Sequence, residues 1–215
     1  MAELRLFPLQ TVLFPGMALP LNIFEDRYRQ LVSECVEASE PFGVALIREG
    51  EEVGEPATPH ELGTTARIES VKHDEEGHIQ LLATGEKRFR VTRLHHDRPY
   101  LWADVEYPDE DGSDVLGPLL EQARERYAVL MRLRLASGGE YVRDIPTPDE
   151  PGAVADAAGA AVTATPSELQ ELLAMLDVSQ RVKRAVELLD QAVPLARRRA
   201  RTARYQRHGG LASLN

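Results

Sequence analysis

The spacing of apolar residues changes period once within the first 38 positions. Leu4, Leu6 and Phe7 precede Pro8, Val12 to Phe14 precede Pro15-Gly16, and a third run from Ala18 to Ile23 contains Pro20. Proline gives no N–H to a ladder, so these runs predict short strands with edges, bends or bulges at the prolines. Pro15-Gly16 predicts a turn. Beyond it the spacing becomes helical: Phe24, Tyr28, Leu31, Val32 and Cys35 share one face, and Glu25, Asp26, Arg29, Gln30, Glu34 and Glu37 the other. Glu25 and Asp26 fall in the first turn, where the helix dipole favours negative charge.

Strand patterns then return. Phe42 to Ile47 is a continuous apolar run suited to a buried strand, and the polar, Gly/Pro/Glu-rich stretch 48–62 is a loop. Thr64 to Lys72 alternates, Asp74 to Gly77 makes a turn, and Ile79 to Ala83 completes a hairpin. Gly85 breaks the pattern before a further strand from Phe89 to Leu94. Leu101, Ala103 and Val105 then alternate with Trp102, Asp104 and Glu106. Six or so short strands with one early helix predict a small, closed or nearly closed β-barrel. Phe14, Phe24, Tyr28, Phe89 and Trp102 are its expected core or near-core aromatics.

The second half is helical. A stripe from Val115 through Leu119, Ala123, Tyr127 and Leu130 to Leu135 runs about six turns, with Ser113 or Asp114 as cap and Gly138-Gly139 as stop. The alanine-rich stretch Ala153 to Val162 predicts a helix. Thr165-Pro166-Ser167-Glu168 is a capping box with proline at the first helical position, opening a helix through Leu169, Leu172, Leu173 and Leu176. Asp177 to Gln180 repeats the device ahead of Val182, Val186, Leu189 and Val193, and Pro194 should kink or end that helix. The expected organisation is a barrel subdomain (1–108), a linker (109–113), a helical bundle (114–196) and a basic, flexible tail (197–215).

Chemistry-bearing patterns are sparse. No G-x-x-x-x-G-K-[ST] phosphate loop, G-x-S-x-G elbow or convergent histidine set occurs, so no catalytic residue, cofactor or metal ligand is expected. Cys35 is the single cysteine and lies on the apolar helix face, where a buried, inert thiol is expected. No apolar run approaches 18 residues and no secretory leader pattern opens the sequence, so the expected location is the cytoplasm, away from membranes. Net charge is −10, but from Arg181 onward nine Lys/Arg face two acids, so residues 1–180 carry −17. An acidic body repels nucleic acid.

The opening stretch carries Pro8-Leu9, Phe14-Pro15-Gly16, Pro20-Leu21 and Phe24-Glu25-x-Arg27-Tyr28. Phe42-Gly43-Val44, Glu61-Leu62-Gly63-Thr64 and Gly85-x-x-Arg88-Phe89 follow. In this order and separation the set resembles the Lon N-terminal domain family, the substrate-binding domain that precedes the ATPase in Lon-type proteases. The resemblance covers roughly residues 4–107 well and the remainder loosely. It implies an α+β fold: an N-terminal six-stranded PUA-like β-pseudobarrel with one helix, followed by a small C-terminal α-helical bundle. It also implies a non-catalytic protein- or peptide-recognition module. The expected partners are unfolded or client polypeptides and a protease acting in trans. Family-motif positions Phe14, Pro15, Pro20, Phe24, Glu25, Arg27, Tyr28, Arg88 and Phe89 are the candidate binding residues, although the residues alone read first as core and turn positions. The rival reading is an RNA-binding PUA-like barrel using the basic tail and Tyr205.

Overall fold

The computed structural model describes residues 2–52, 57–74, 78–111 and 115–209, with side chains as far as Gln206. The expected turn residues 75–77, part of the 48–62 loop, the helix caps Ser113 and Asp114, and the last six tail residues lie outside them. The fold is α+β, with a mostly antiparallel sheet and five helices. The chain divides into two compact units.

The first unit comprises residues through Glu110 together with Thr165–Leu176. Its strands are β1 (Ala2–Leu9), β2 (Ala18–Ile23), β3 (Phe42–Glu49), β4 (Thr58–Pro59), β5 (Leu62–His73), β6 (Ile79–His95) and β7 (Trp102–Glu106). β1, β7, β6, β5 and β3 follow one another around a ring, which the parallel β1–β3 pairing closes from Leu6↔Gly43 to Leu9↔Leu46. β2 lies on β6 and β4 on β3.

Seven strands form where six were expected, and two of the differences have clear causes. Val12 to Phe14 is buried but not a strand, because the bend at Phe14-Pro15-Gly16 uses its backbone differently: Gly16 and Gly85 exchange bonds with this segment, Gly16 N–H to Gly85 O and Gly85 N–H to Met17 O. For the same reason Gly85 does not end a strand. β6 runs unbroken through it, and a Cβ there would collide with the Phe14 carbonyl oxygen. Glycine at 85 is thus a close-approach requirement that looks, in sequence, like a strand break.

Helix α1 (Asp26–Ala38) buries Tyr28, Leu31, Val32 and Cys35 against the sheet, as its 3.6-residue stripe dictates. The Tyr28 ring stacks on Phe7 at 3.9 Å. A second cluster, Leu4, Leu6, Ala45, Phe89, Leu101, Ala103 and Val105, fills the barrel.

The second unit holds α2 (Gly117–Gly138), α3 (Pro151–Ala161) and α5 (Val178–Gly209), which pack on one another. α2 starts after Leu116, without a side-chain cap, and ends at Gly139 in the left-handed region (φ 97°). Arg181 of α5 is fully buried with Asp156 of α3, Nε to Oδ1 3.5 Å. The helix opened by the capping box, α4 (Pro166–Ala174), belongs to the first unit and not to the bundle. Nor does Pro194 end α5: the helix continues to Gly209, so the segment expected to be a flexible tail is helical as far as it is described. Its alanine and arginine content favours helix strongly enough to absorb one missing N–H.

Candidate functional site

Among the described residues β2 pairs with β6 alone, at Ala18↔Thr84, Pro20↔Leu82 and Asn22↔Gln80. Alternation sends Leu19 and Ile23 inward against Ile79, Leu81 and Ala83, all buried. The outer face of the same pair therefore carries Ala18, Pro20 and Leu82, with Asn22 and Gln80 below them. Leu82 is 41% exposed. Phe24 continues this face beyond β2. With Asn22, Ile23, Asp74, His78 and Gln80 it lines a hollow of about 330 Å³.

Phe24 was expected in the core and is 54% exposed. It precedes the N-cap residue Glu25 and so lies outside α1; the helical period that buries Tyr28 does not govern its direction. The other expected aromatics divide likewise. Phe14, Tyr28 and Phe89 are buried, whereas Trp102 is half-buried, stacked on His95 at 3.9 Å, and donates its indole N–H to Asp97 at 2.7 Å.

The remaining motif residues hold the fold around that face. Arg27 pairs with Glu25 (2.9 Å), lies 4.5 Å over the Tyr28 ring and donates to the Glu52 carbonyl (3.1 Å), which fastens the loop after β3 to the start of α1. Pro15 is half-buried at the turn on Gly85. Phe89 is enclosed by two motif glycines: a Cβ on Gly43 or Gly63 would press into its ring at 2.9 Å or 2.7 Å. Arg88 is buried and donates to the Leu173 carbonyl (2.8 Å) and to Glu110 (2.7 Å). Leu173 lies in the last turn of α4, whose carbonyls have no intrahelical donor, so Arg88 caps α4 from the barrel. Of the nine candidates, the structure brings only Pro20 and Phe24 to the open surface of the β2–β6 side.

A second concavity lies beside α4. It measures about 520 Å³ and includes Arg48, His60, Leu62, Arg90, Gln170 and Glu171. None of these is among the nine candidate binding residues, although Leu62 belongs to the Glu61-to-Thr64 motif and Arg48 and His60 to the stretch 48–62. The one available signal was Gln170, a polar residue next to the apolar stripe of a nine-residue helix.

The first hollow holds one histidine–carboxylate pair, His78 Nδ1 to Asp74 Oδ2 at 3.1 Å, and among the described residues that line it none is a serine, threonine or cysteine. The Cys35 thiol is buried, and burial pushes its pKa up to about 11. Among the described residues no group of three or more His, Cys, Asp or Glu side chains is placed to hold a metal ion, and no helix is long and apolar enough to cross a membrane.

A model of the ATP-dependent protease La (Lon) substrate-binding domain matches residues 3–191, and the chain belongs to that family. Lon protease 2 of Myxococcus xanthus is 31% identical over 196 residues, and the Lon protease of Methylocella silvestris 29% over 193. These alignments take in 87% and 86% of this chain but 23% of either relative, so the chain spans under a quarter of their length. The crystal structure of a Lon N-terminal domain protein from Xanthomonas campestris superposes with a TM-score of 0.68 at 26% identity, covering 87% of this chain and 98% of that one.

Proposed function

We propose that the chain is a non-catalytic polypeptide-recognition module that holds unfolded or client segments on the outer β2–β6 face. The observation that carries this reading is the run of Pro20, Leu82 and Phe24 exposed on a sheet whose inner face is fully packed. Burying one such large side chain against a partner is worth about 1.5–3 kcal/mol. Exposed apolar groups gathered at one place are the usual mark of an interaction surface. Membership in a substrate-binding family supports the same conclusion. Handing the bound segment to a protease in trans, in the cytoplasm, completes the proposal.

Phe24→Asp and Leu82→Asp, each on the surface, should weaken binding of a fluorescein-labelled, carboxymethylated and permanently unfolded protein at least tenfold while leaving the denaturation midpoint in place. Unchanged affinity in both variants would refute the assignment of this face. RNA recognition has less support: the arginines at positions 197–204 lie on α5, and the barrel's outer face is apolar and uncharged at Pro20 and Leu82. Competition by polyuridylate, lost on raising salt, would reverse that ranking.

A further inference from the structure

The cleft beside α4 has a feature that the apolar face lacks. Gln170, 6% exposed, donates its Nε2 to the Leu62 carbonyl at 2.9 Å. That bond fixes which way the amide points, since the flipped amide would set two oxygens against each other. Its Oε1 is thereby left as a pure acceptor, buried and without a hydrogen-bond partner. Leaving a buried acceptor unmatched costs about 1–3 kcal/mol; Oε1 has almost no accessible surface, so the side chain must shift slightly for an N–H donor in the cleft to reach it and gain that much.

The nearby charges say what else that donor should carry. The side chain of Arg90, half-buried, makes no hydrogen bond among the described residues, and its ion-pair partner Glu106 stands off at 3.8 Å. Arg48 is exposed, and its ion-pair partner, the next residue Glu49, likewise stands off at 3.8 Å. Both guanidiniums keep donors for an anion. Burial, then Arg48, lowers the pKa of His60. Glu61 and Glu171 are exposed on the rim and repel ligands carrying several negative charges.

We propose that this cleft captures the carboxyl terminus of a polypeptide, the terminal carboxylate lying against Arg90 and Arg48 and the last backbone N–H donating to Gln170 Oε1. Both contacts pair a strong donor with an open acceptor, and carboxylate–guanidinium bonds are the stronger kind. The proposal rests on the polypeptide-recognition reading and specifies its substrate class as segments with a free C-terminal end.

The test uses the whole chain and two fluorescein-labelled ten-residue peptides of leucine, lysine and serine, one ending in a free carboxylate and one in a carboxamide. Anisotropy should show the free acid binding at least tenfold more tightly. N-acetylalanine, which has both the carboxylate and the N–H, should displace it, and inorganic phosphate should not. Arg90→Gln should bring the free acid down to the level of the amide without altering amide binding, and Gln170→Met should act in the same direction. Equal affinity of the two peptides, or displacement by phosphate as readily as by N-acetylalanine, overturns the carboxyl-terminus assignment while leaving polypeptide recognition standing. Failure of both peptides to bind overturns the two readings together.

Discussion

Two phenylalanines that look alike in sequence have opposite roles. Phe89 has no exposed surface and its ring fills the space left by Gly43 and Gly63, so Phe89→Ala should cost about 3–5 kcal/mol, read as a lowered urea midpoint. Phe24→Ala should move the midpoint by roughly 0.5 kcal/mol or less, because more than half of that side chain is already in water. Periodicity located Tyr28, Leu31, Val32 and Cys35 correctly because they lie inside one regular helix. It failed at Phe24 because a single residue beyond a helix cap obeys no period. Arg88 was recognisable as a motif position, but its partner is 85 residues away in sequence, and spacing carries no trace of such a contact. Glu34 yields a pH prediction at the same scale. Hydrogen bonds from the Tyr100 hydroxyl first, then Gln30 and Arg5, hold its carboxyl below the usual carboxylate range. Its contribution to stability is therefore complete above the ordinary glutamate value of about 4.3 and fades as pH falls through the lower folded value. Glu34→Gln should flatten the acid side of a stability–pH curve, and a curve unchanged in shape would show that the carboxylate contributes nothing there.

Among the elements, α4 and α5 depart furthest from what the pattern suggested. The capping box of α4 is present with both arms, Glu168 N–H to Thr165 Oγ1 and Thr165 N–H to Glu168 Oε2. Local chemistry thus announced where the helix begins; it could not announce which unit the helix would join, since an apolar stripe fits a barrel wall as well as a bundle. The continuation of α5 past Pro194 has an energetic signature. Proline inside a helix removes the bond to the carbonyl four residues earlier, here Asp190, at a cost of about 3 kcal/mol. Pro194 is exposed, so Pro194→Ala adds a donor without opening a cavity. It should raise the thermal midpoint and increase helical circular dichroism; a loss of stability would mean that the proline fits a bend the second unit needs.

For the whole molecule, the order of residues in the chain and the grouping of residues in space do not coincide. The chain leaves the barrel unit at Asp111, forms α2 and α3, returns for Thr165–Leu176 and departs again. α4 should share the stability of the barrel. Leu189→Ala, a fully buried truncation in α5 worth about 2–5 kcal/mol, should speed amide hydrogen exchange in α2, α3 and α5 while α4 keeps the protection of β5 and β6. Loss of α4 protection in step with α5 would assign it to the other unit.

The three prolines that lie within strands share one circumstance. Pro8 faces only Ala45 of β3, Pro20 only Leu82 of β6, and Pro59 only Ile47 of β3. Each stands where, among the described residues, a strand has a neighbour on one side and none on the other, the situation in which an open backbone edge invites a second molecule to add on. A residue that cannot donate blunts that edge at no cost to the closed ring. On the proposed reading Pro20, Leu82 and Phe24 are offered to partners, and an open edge beside them would invite copies of the chain to stack on one another. Pro8 and Pro20, which interrupt the opening sequence, and Pro59 thus oppose edge-to-edge addition of one copy to another.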